Sequence, residues 1–331
     1  MSLTSTSAGA APGLSRPAAA RRSPRPLGDG LFRGAALGCA LLVLALLGLI
    51  ALSMLWGGLP AFRAFGLPFL YGTDWDPVAR VFTAGVAIYG TLVTSALAML
   101  IAVPVSFGIA VFLTEVAPGW MRGPVGTAVE LLAGVPSIIY GMWGLFIFAP
   151  FLSATVEPWI SATLGAVPGI GALFQGPSLG IGVLPAAIIL GIMVIPFVSA
   201  VMRDVFSLVP ATLREAAFGL GATRWEVVRG VVLPYTRSAV VGGIFLGLGR
   251  ALGETMAVTF VLGNTHDLSV SLLMPGNSIS ATIANEFTEA DSALYRSALI
   301  ALGFLLFVVT FVVLAAAKLL LARIARRDAR A

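Results

Sequence analysis

The 331-residue sequence holds one cysteine, one histidine and one lysine, and only 11% of its residues are charged. Cys39, alone, cannot close a disulfide within the chain, and its place in an apolar run reads as a small buried hydrophobe. His266, also alone, cannot build a His/Cys metal cluster, so no metal site is expected. Lys318 lies in Ala-Ala-Ala-Lys-Leu-Leu-Leu instead of following a glycine. That excludes the G-x-x-x-x-G-K-[ST] phosphate-binding loop, so any ATP used is hydrolysed by another subunit. An average soluble domain is about 25% charged, and a folded exterior needs polar groups to face water. The shortage of charge argues against a water-soluble enzyme. Most of this chain has lipid as its solvent.

What the sequence has in abundance is apolar length. Six runs, at about 34–56, 84–113, 129–150, 181–202, 238–263 and 297–317, can each cross a ~30 Å hydrocarbon core. Backbone groups in lipid must satisfy one another within the segment, so these runs are expected to be helices, the second kinked by Pro104. The expected fold is an all-α polytopic membrane protein with six transmembrane helices. Residues 1–30 are rich in Ala, Gly, Pro, Ser and Arg and read as a disordered basic tail. Arg21-Arg22-Ser23 resembles a twin-arginine signal, but the apolar run behind it is too long for one and reads as an uncleaved first span. Of the 20 basic residues, 16 fall in 1–33, 114–127, 203–237 and 318–331, three fall in the alternate loops, and Arg250 lies inside a span. By the positive-inside rule both termini are cytoplasmic. The opposite loop 264–294 carries Asp267, Glu286, Glu289 and Asp291.

Between spans four and five, Thr212-Leu-Arg-Glu215 and Thr223-Arg-Trp-Glu226 both have the spacing of a capping box. Gly219 and Gly221 lie between them, either able to end a helix in left-handed geometry, and Pro234 is expected to end the second short helix. The local pattern is helix, glycine turn, helix. By itself it fits a helical surface loop. A DNA-binding helix-turn-helix also fits locally, but short helices wedged between spans, with acids among the bases, argue against it.

The run Glu215-Ala216-Ala217, then Gly221, then Val231-x-Leu233-Pro234, resembles the EAA loop of ABC-importer permeases, with Val231 where the pattern has Ile. Ala102–Ala110, Glu130–Pro150, Gly247–Val258 and Met274–Ser278 resemble, more narrowly, the PstC family of phosphate-importer permeases, and the likeness runs from about residue 30 to the C-terminus. The resemblance implies a type I ABC-importer permease fold, with 31–83 as first span and outer loop, 84–318 as permease core with the EAA loop at 212–234, and 319–331 as a basic cytoplasmic end. It implies that Glu215, Ala216, Ala217, Gly221, Leu233 and Pro234 form the loop that seats in an ATPase subunit. The implied partners are a second permease resembling PstA, two ATPase copies and a periplasmic phosphate-binding protein. ATP and Mg would be used by the ATPase, with no cofactor bound by this chain, no catalytic residue and no nucleic acid.

Arg250 and Glu254 stand four residues apart inside span five, the spacing of neighbours on one helix face. A charge at the bilayer centre costs about 2.5–3.5 kcal/mol on insertion scales, so it persists only if paired or facing a polar cavity. An internal pair that serves packing is one reading. The other has Arg250 facing the pathway and giving paired hydrogen bonds to phosphate oxygens, with Glu254 holding the guanidinium, a role the resemblance supports. Gly243, Gly247, Gly249 and Gly253 have the spacing of close helix packing. Gly134-Val135-Pro136-Ser137 interrupts span three, as a plain kink or as a break that presents free backbone groups to an anion, and Pro196 in span four reads the same way. The permease of another oxyanion importer would share the EAA loop and the arginine. An ion-coupled secondary transporter would predict internal repeats with paired broken helices, which the sequence does not display, and a membrane enzyme would need a carboxylate pair, an activated nucleophile or a metal cluster.

Overall fold

The computed structural model describes residues 27–328, with side chains from 28 to 322. The tail reading for 1–26 lies outside the described residues, and 27–30 are already helical. The chain divides into two compact units, 1–50 and 51–331. In the first, the described residues form the beginning of α1 (Leu27–Phe65), with every residue from Gly28 to Ile50 exposed. Cys39 is therefore exposed, against the buried reading. An apolar helix surface facing lipid has no hydrophobic reason to hide, because the tails are as apolar as leucine.

The second unit continues α1 and adds α2 (Pro68–Tyr71), α3 (Gly85–Val111), α4 (Gly119–Ala133), α5 (Ser137–Trp143), α6 (Ala149–Phe151) and α7 (Glu157–Thr163). After a short 3₁₀ turn at Gly171–Phe174 come α8 (Val183–Ser207), α9 (Ala211–Gly219), α10 (Arg224–Val227), α11 (Leu233–Leu252), α12 (Met256–Leu262), α13 (Ile279–Glu286) and α14 (Ala293–Asp328). Outside the helices, the described residues show two isolated β-bridges, Asp76 with Val81 and Gly263 with Gly276. Six helical stretches are long and apolar enough to cross a membrane: Gly28–Phe65, Gly85–Val116, Ser137–Thr163, Val183–Ser207, Arg224–Leu252 and Ala293–Ala322. This is a multi-pass membrane protein.

Several spans run longer than the sequence reading, the first at Gly28–Phe65 and the fifth starting at Arg224, and two are cut short at a proline or glycine. The third begins at Ser137, not near 129, because the chain stops being helical between Ala133 and Ser137 and α4 becomes a separate element. Pro136 cannot donate a backbone hydrogen bond, and it disfavours helix at Val135. The fifth ends at Leu252, with Gly253 to Thr255 separating it from α12. Pro104 and Pro196, by contrast, lie inside continuous helices.

The core centres on α8, which packs most extensively on α3 and is the most buried of the six spans. Ala98, Met99 and Ala102 of α3 meet Val194, Val198 and Met202 of α8 there, with Val240, Ala251, Val258 and Val261 from α11 and α12. A second cluster joins the loop that precedes α3 to α13, α14 and the end of α1 through Ala61, Phe69, Trp75, Phe82, Ile279, Tyr295 and Leu299. The Ser297 hydroxyl accepts from Ala61 N–H at 3.1 Å and donates to the Gly57 carbonyl at 2.8 Å, fastening α14 to α1.

This second cluster has a carboxylate hub. Glu286 accepts from Trp75 Nε1 at 2.7 Å and from the Tyr295 hydroxyl at 2.6 Å, and it pairs with His266 Nε2 at 2.7 Å. Trp75 also stacks on His266, with ring centroids 5.3 Å apart. Burial alone would raise the Glu286 pKa, but hydrogen bonds from His266, Tyr295 and Trp75 outweigh it and hold the carboxyl below its ordinary value. Its stabilisation is thus present above the ordinary carboxylate range and is lost as pH falls through the lowered value. Glu286→Gln is expected to cost about 1–3 kcal/mol at neutral pH by mismatching buried donors. It should also flatten the acid limb of stability between about pH 3 and 5. Thermal unfolding of the purified variant across that range checks both, and an acid limb as steep as the parent's would remove Glu286 from the account.

Candidate functional site

The region between α8 and α11 folds as a compact element, but not with two capping boxes. At Thr223 the box forms: Glu226 Oε2 accepts from Thr223 N–H at 2.7 Å, and Glu226 N–H donates to Thr223 Oγ1 at 3.4 Å. At Thr212 it does not. Pro210 occupies the cap position of α9 and the helix starts at Ala211, so Thr212 is already inside the first turn, where its side chain is no longer at the cap position. Gly221 has φ +87° and makes the left-handed turn, while Gly219 stays in α9. Pro234 does not end a helix either. It stands near the start of α11, inside a helical stretch that runs from Arg224 to Leu252 by way of a π-helical turn at Val228–Val232. Glu215, Ala216 and Ala217 lie on α9, Gly221 at the turn, and Leu233 and Pro234 at the head of the long helix. Apolar residues Ala217, Ala222, Val227 and Val232 pack into the main core, which makes the segment part of the body of the fold.

The predicted Arg250–Glu254 pair is not formed. Arg250 is in the last turn of α11, but Gly253 ends the helix, so Glu254 no longer follows one turn above it. A spacing of four gives one face only while the helix continues. Glu254 instead turns to the start of α12, where Oε1 accepts from Ala257 N–H at 3.4 Å. No carboxylate pairs with Arg250 among the described residues. Its guanidinium lies over the Phe197 ring of α8, 5.7 Å from the centroid. The Tyr140 side chain belongs to α5, and its hydroxyl donates to the Leu132 carbonyl at 3.0 Å, across the break between α4 and α5. Arg250 is exposed on the surface of the single chain, about 20 Å of helix rise from Arg237.

Two short helices that follow breaks in the chain meet one another. α5 and α12, each starting just after a break, pack together at Gly141, where a Cβ would come within 2.8 Å of the Phe260 ring, 3.0 Å of the Met256 carbonyl oxygen and 3.1 Å of Ala257 Cα. The expected glycine packing of α11 is present at Gly243 and Gly247, which face Val201 and Val198 of α8. Sequence reasoning missed Phe197 as a neighbour of Arg250, since it comes from another helix with no local signal. It missed the Glu286 hub for the same reason.

The described residues thus combine six apolar spans, an exposed arginine with no carboxylate partner among them, and a helix–turn–helix segment between α8 and α11, and comparison with known proteins says what such a chain resembles. Residues 102–326 match the family described as binding-protein-dependent transport system inner membrane component. Phosphate transport system permease protein PstC of Xylella fastidiosa is 58% identical over 84% of this chain and 86% of its own length. PstC of Mesorhizobium japonicum is 54% identical over 96% and 95%. The solved structure of a bacterial alginate ABC transporter, in complex with a periplasmic protein bound to an alginate pentasaccharide, shares the fold at a TM-score of 0.59, with 23% identity over 90% of this chain and 98% of that one. The chain belongs to the family of binding-protein-dependent transport inner membrane components, in its PstC group.

Proposed function

We propose that this chain is the permease subunit of an ATP-driven importer that moves inorganic phosphate from the periplasm to the cytoplasm. The substrate comes from the names of its relatives, and the carrying observation in the structure is Arg250, exposed and free of any carboxylate among the described residues. A guanidinium without an internal counter-charge is available to a passing anion, and its planar fork suits phosphate oxygens. Its place on the outside of a single subunit suits a pathway that runs between this permease and a second one resembling PstA. Glu254 acts on this site by fixing the start of α12, not by neutralising Arg250. The segment 212–234, with Gly221 at its turn, seats in an ATPase subunit, two copies of which use ATP and Mg, and a periplasmic phosphate-binding protein delivers the anion. This chain binds no cofactor and performs no catalysis.

In this reading the protein lies in the cell inner membrane with both termini in the cytoplasm, an orientation supported by the 16-to-3 division of basic residues between alternate segments. A reporter fused after Ala331 is expected to read cytoplasmic and one inserted near Pro177 periplasmic; both reporters on one side would refute the topology. Uptake of labelled phosphate by cells that depend on this chain, with sulfate and molybdate as competitors, tests the substrate. Preferential uptake of either competitor would assign the chain to another oxyanion.

A further inference from the structure

The segment read above as the ATPase-docking element is joined by chain only to α8 and α11, yet two of its arginines reach the end of another span. Arg214 of α9 places Nη2 3.1 Å from Glu115 Oε1, and the same nitrogen donates to the Phe206 carbonyl at 2.6 Å. Arg224 of α10 directs Nη1 at the carbonyls of Glu115 and Val116, 3.5 and 3.4 Å away. Glu115 belongs to the π-helical turn Phe112–Val116 that finishes the second span, a turn with free carbonyls that suits cationic caps. The Glu115 side chain is only 7% exposed and the Arg214 side chain 21%. One buried carboxylate therefore sits where α3, α8 and the docking segment converge.

The pair is close but not fully matched. Glu115 Oε1 lies within ion-pair distance of Arg214 while lacking an aligned hydrogen bond, and Arg214 Nε is also buried without a partner. An arginine and a carboxylate bind best as a two-pronged fork, so this contact has room to tighten when the segment moves. Beyond it the packing is continuous. α3 and α8 share the most extensive interface of the fold, and a side chain at Gly247, one turn from Arg250, would stand against Val198 and Val194 of α8 and Met99 of α3.

We propose that Glu115 is a positioning residue that ties the docking segment to the second span through Arg214 and Arg224, so that movement of the segment is handed to α3 as well as to the two spans it connects. The proposal rests on the reading of 212–234 as the ATPase contact. Spatial continuity alone does not establish coupling, so the test must read coupling itself.

The experiment uses the complete complex in proteoliposomes with phosphate-loaded binding protein, measuring ATP hydrolysed and phosphate moved by the parent, Glu115→Gln, Arg214→Gln, the double variant and Arg214→Lys. Each single Gln variant is expected to keep its ATPase subunits and hydrolyse ATP within about twofold of the parent, while phosphate moved per ATP falls about tenfold. The double variant should be no worse than either single one, because the two residues act as a unit. Arg214→Lys, which retains the charge, should recover most of the ratio. An unchanged ratio in the single variants overturns the proposal, as does a parallel loss of uptake, hydrolysis and complex yield, which would make the pair a brace and nothing more. If the parent itself retains no ATPase subunit, the docking reading fails first, and that result is visible before any variant is compared.

Discussion

Arg250→Gln is expected to lower phosphate uptake by roughly one to two orders of magnitude while the chain still inserts and assembles. A hydrogen bond to a charged group is worth about 1.5–3 kcal/mol, and each 1.4 kcal/mol is a factor of ten. Glutamine keeps polarity and most of the length but not the charge that offsets phosphate dehydration. Because Glu254 bonds to Ala257 N–H and not to Arg250, the two substitutions should act independently. Glu254→Gln should have the smaller effect, through the start of α12, and the double variant should stay as inactive as Arg250→Gln. A buried pair behaves otherwise: removing one partner leaves an uncompensated charge, and removing both relieves it. Uptake restored in the double variant, at matched membrane abundance, would return Arg250 and Glu254 to a structural role. Phe197→Leu offers a milder probe of the same site, since it leaves the arginine charged and removes only the ring beneath it, a contact worth about 0.5–2 kcal/mol.

Gly141→Leu is the second change with a large expected effect. The Cβ position already meets the Met256 carbonyl oxygen at 3.0 Å and Ala257 Cα at 3.1 Å, and backbone atoms cannot step aside as a flexible side chain can. Overpacking of this kind costs about 1–3 kcal/mol or more. The strain falls on the contact between α5, at the start of the third span, and α12, and leaves the hydropathy of the six spans unchanged. The variant should therefore reach the membrane, retain its partners and lose most of its phosphate uptake, whereas Gly141→Ala should lose part of it. Parent-level uptake in Gly141→Leu would mean that α5 and α12 need not stay in contact for transport.

Composition alone determined a great deal. A chain that is 11% charged, with six long apolar runs, has to build helices in lipid, and the family resemblance was carried by residues adjacent in sequence, such as Glu215-Ala216-Ala217. Spacing could place Thr223 and Glu226 in a capping box, because both partners lie within one helical turn. The same reasoning erred at Thr212, Pro234 and the Arg250–Glu254 spacing, and for one physical reason. Helix periodicity holds only where the helix is continuous, and whether Pro210, Pro234 or Gly253 interrupts it depends on the packing and backbone hydrogen bonding around each. Gly253 ends α11, whereas Pro104 and Pro196 sit inside α3 and α8 without ending them. Tertiary structure alone decided which side chains meet across the fold: Phe197 under Arg250, Trp75 and His266 on Glu286, Arg214 on Glu115. These partners lie tens to hundreds of residues apart, brought together by helix packing whose energy is spread over many apolar contacts, and no local pattern in the chain encodes such a meeting.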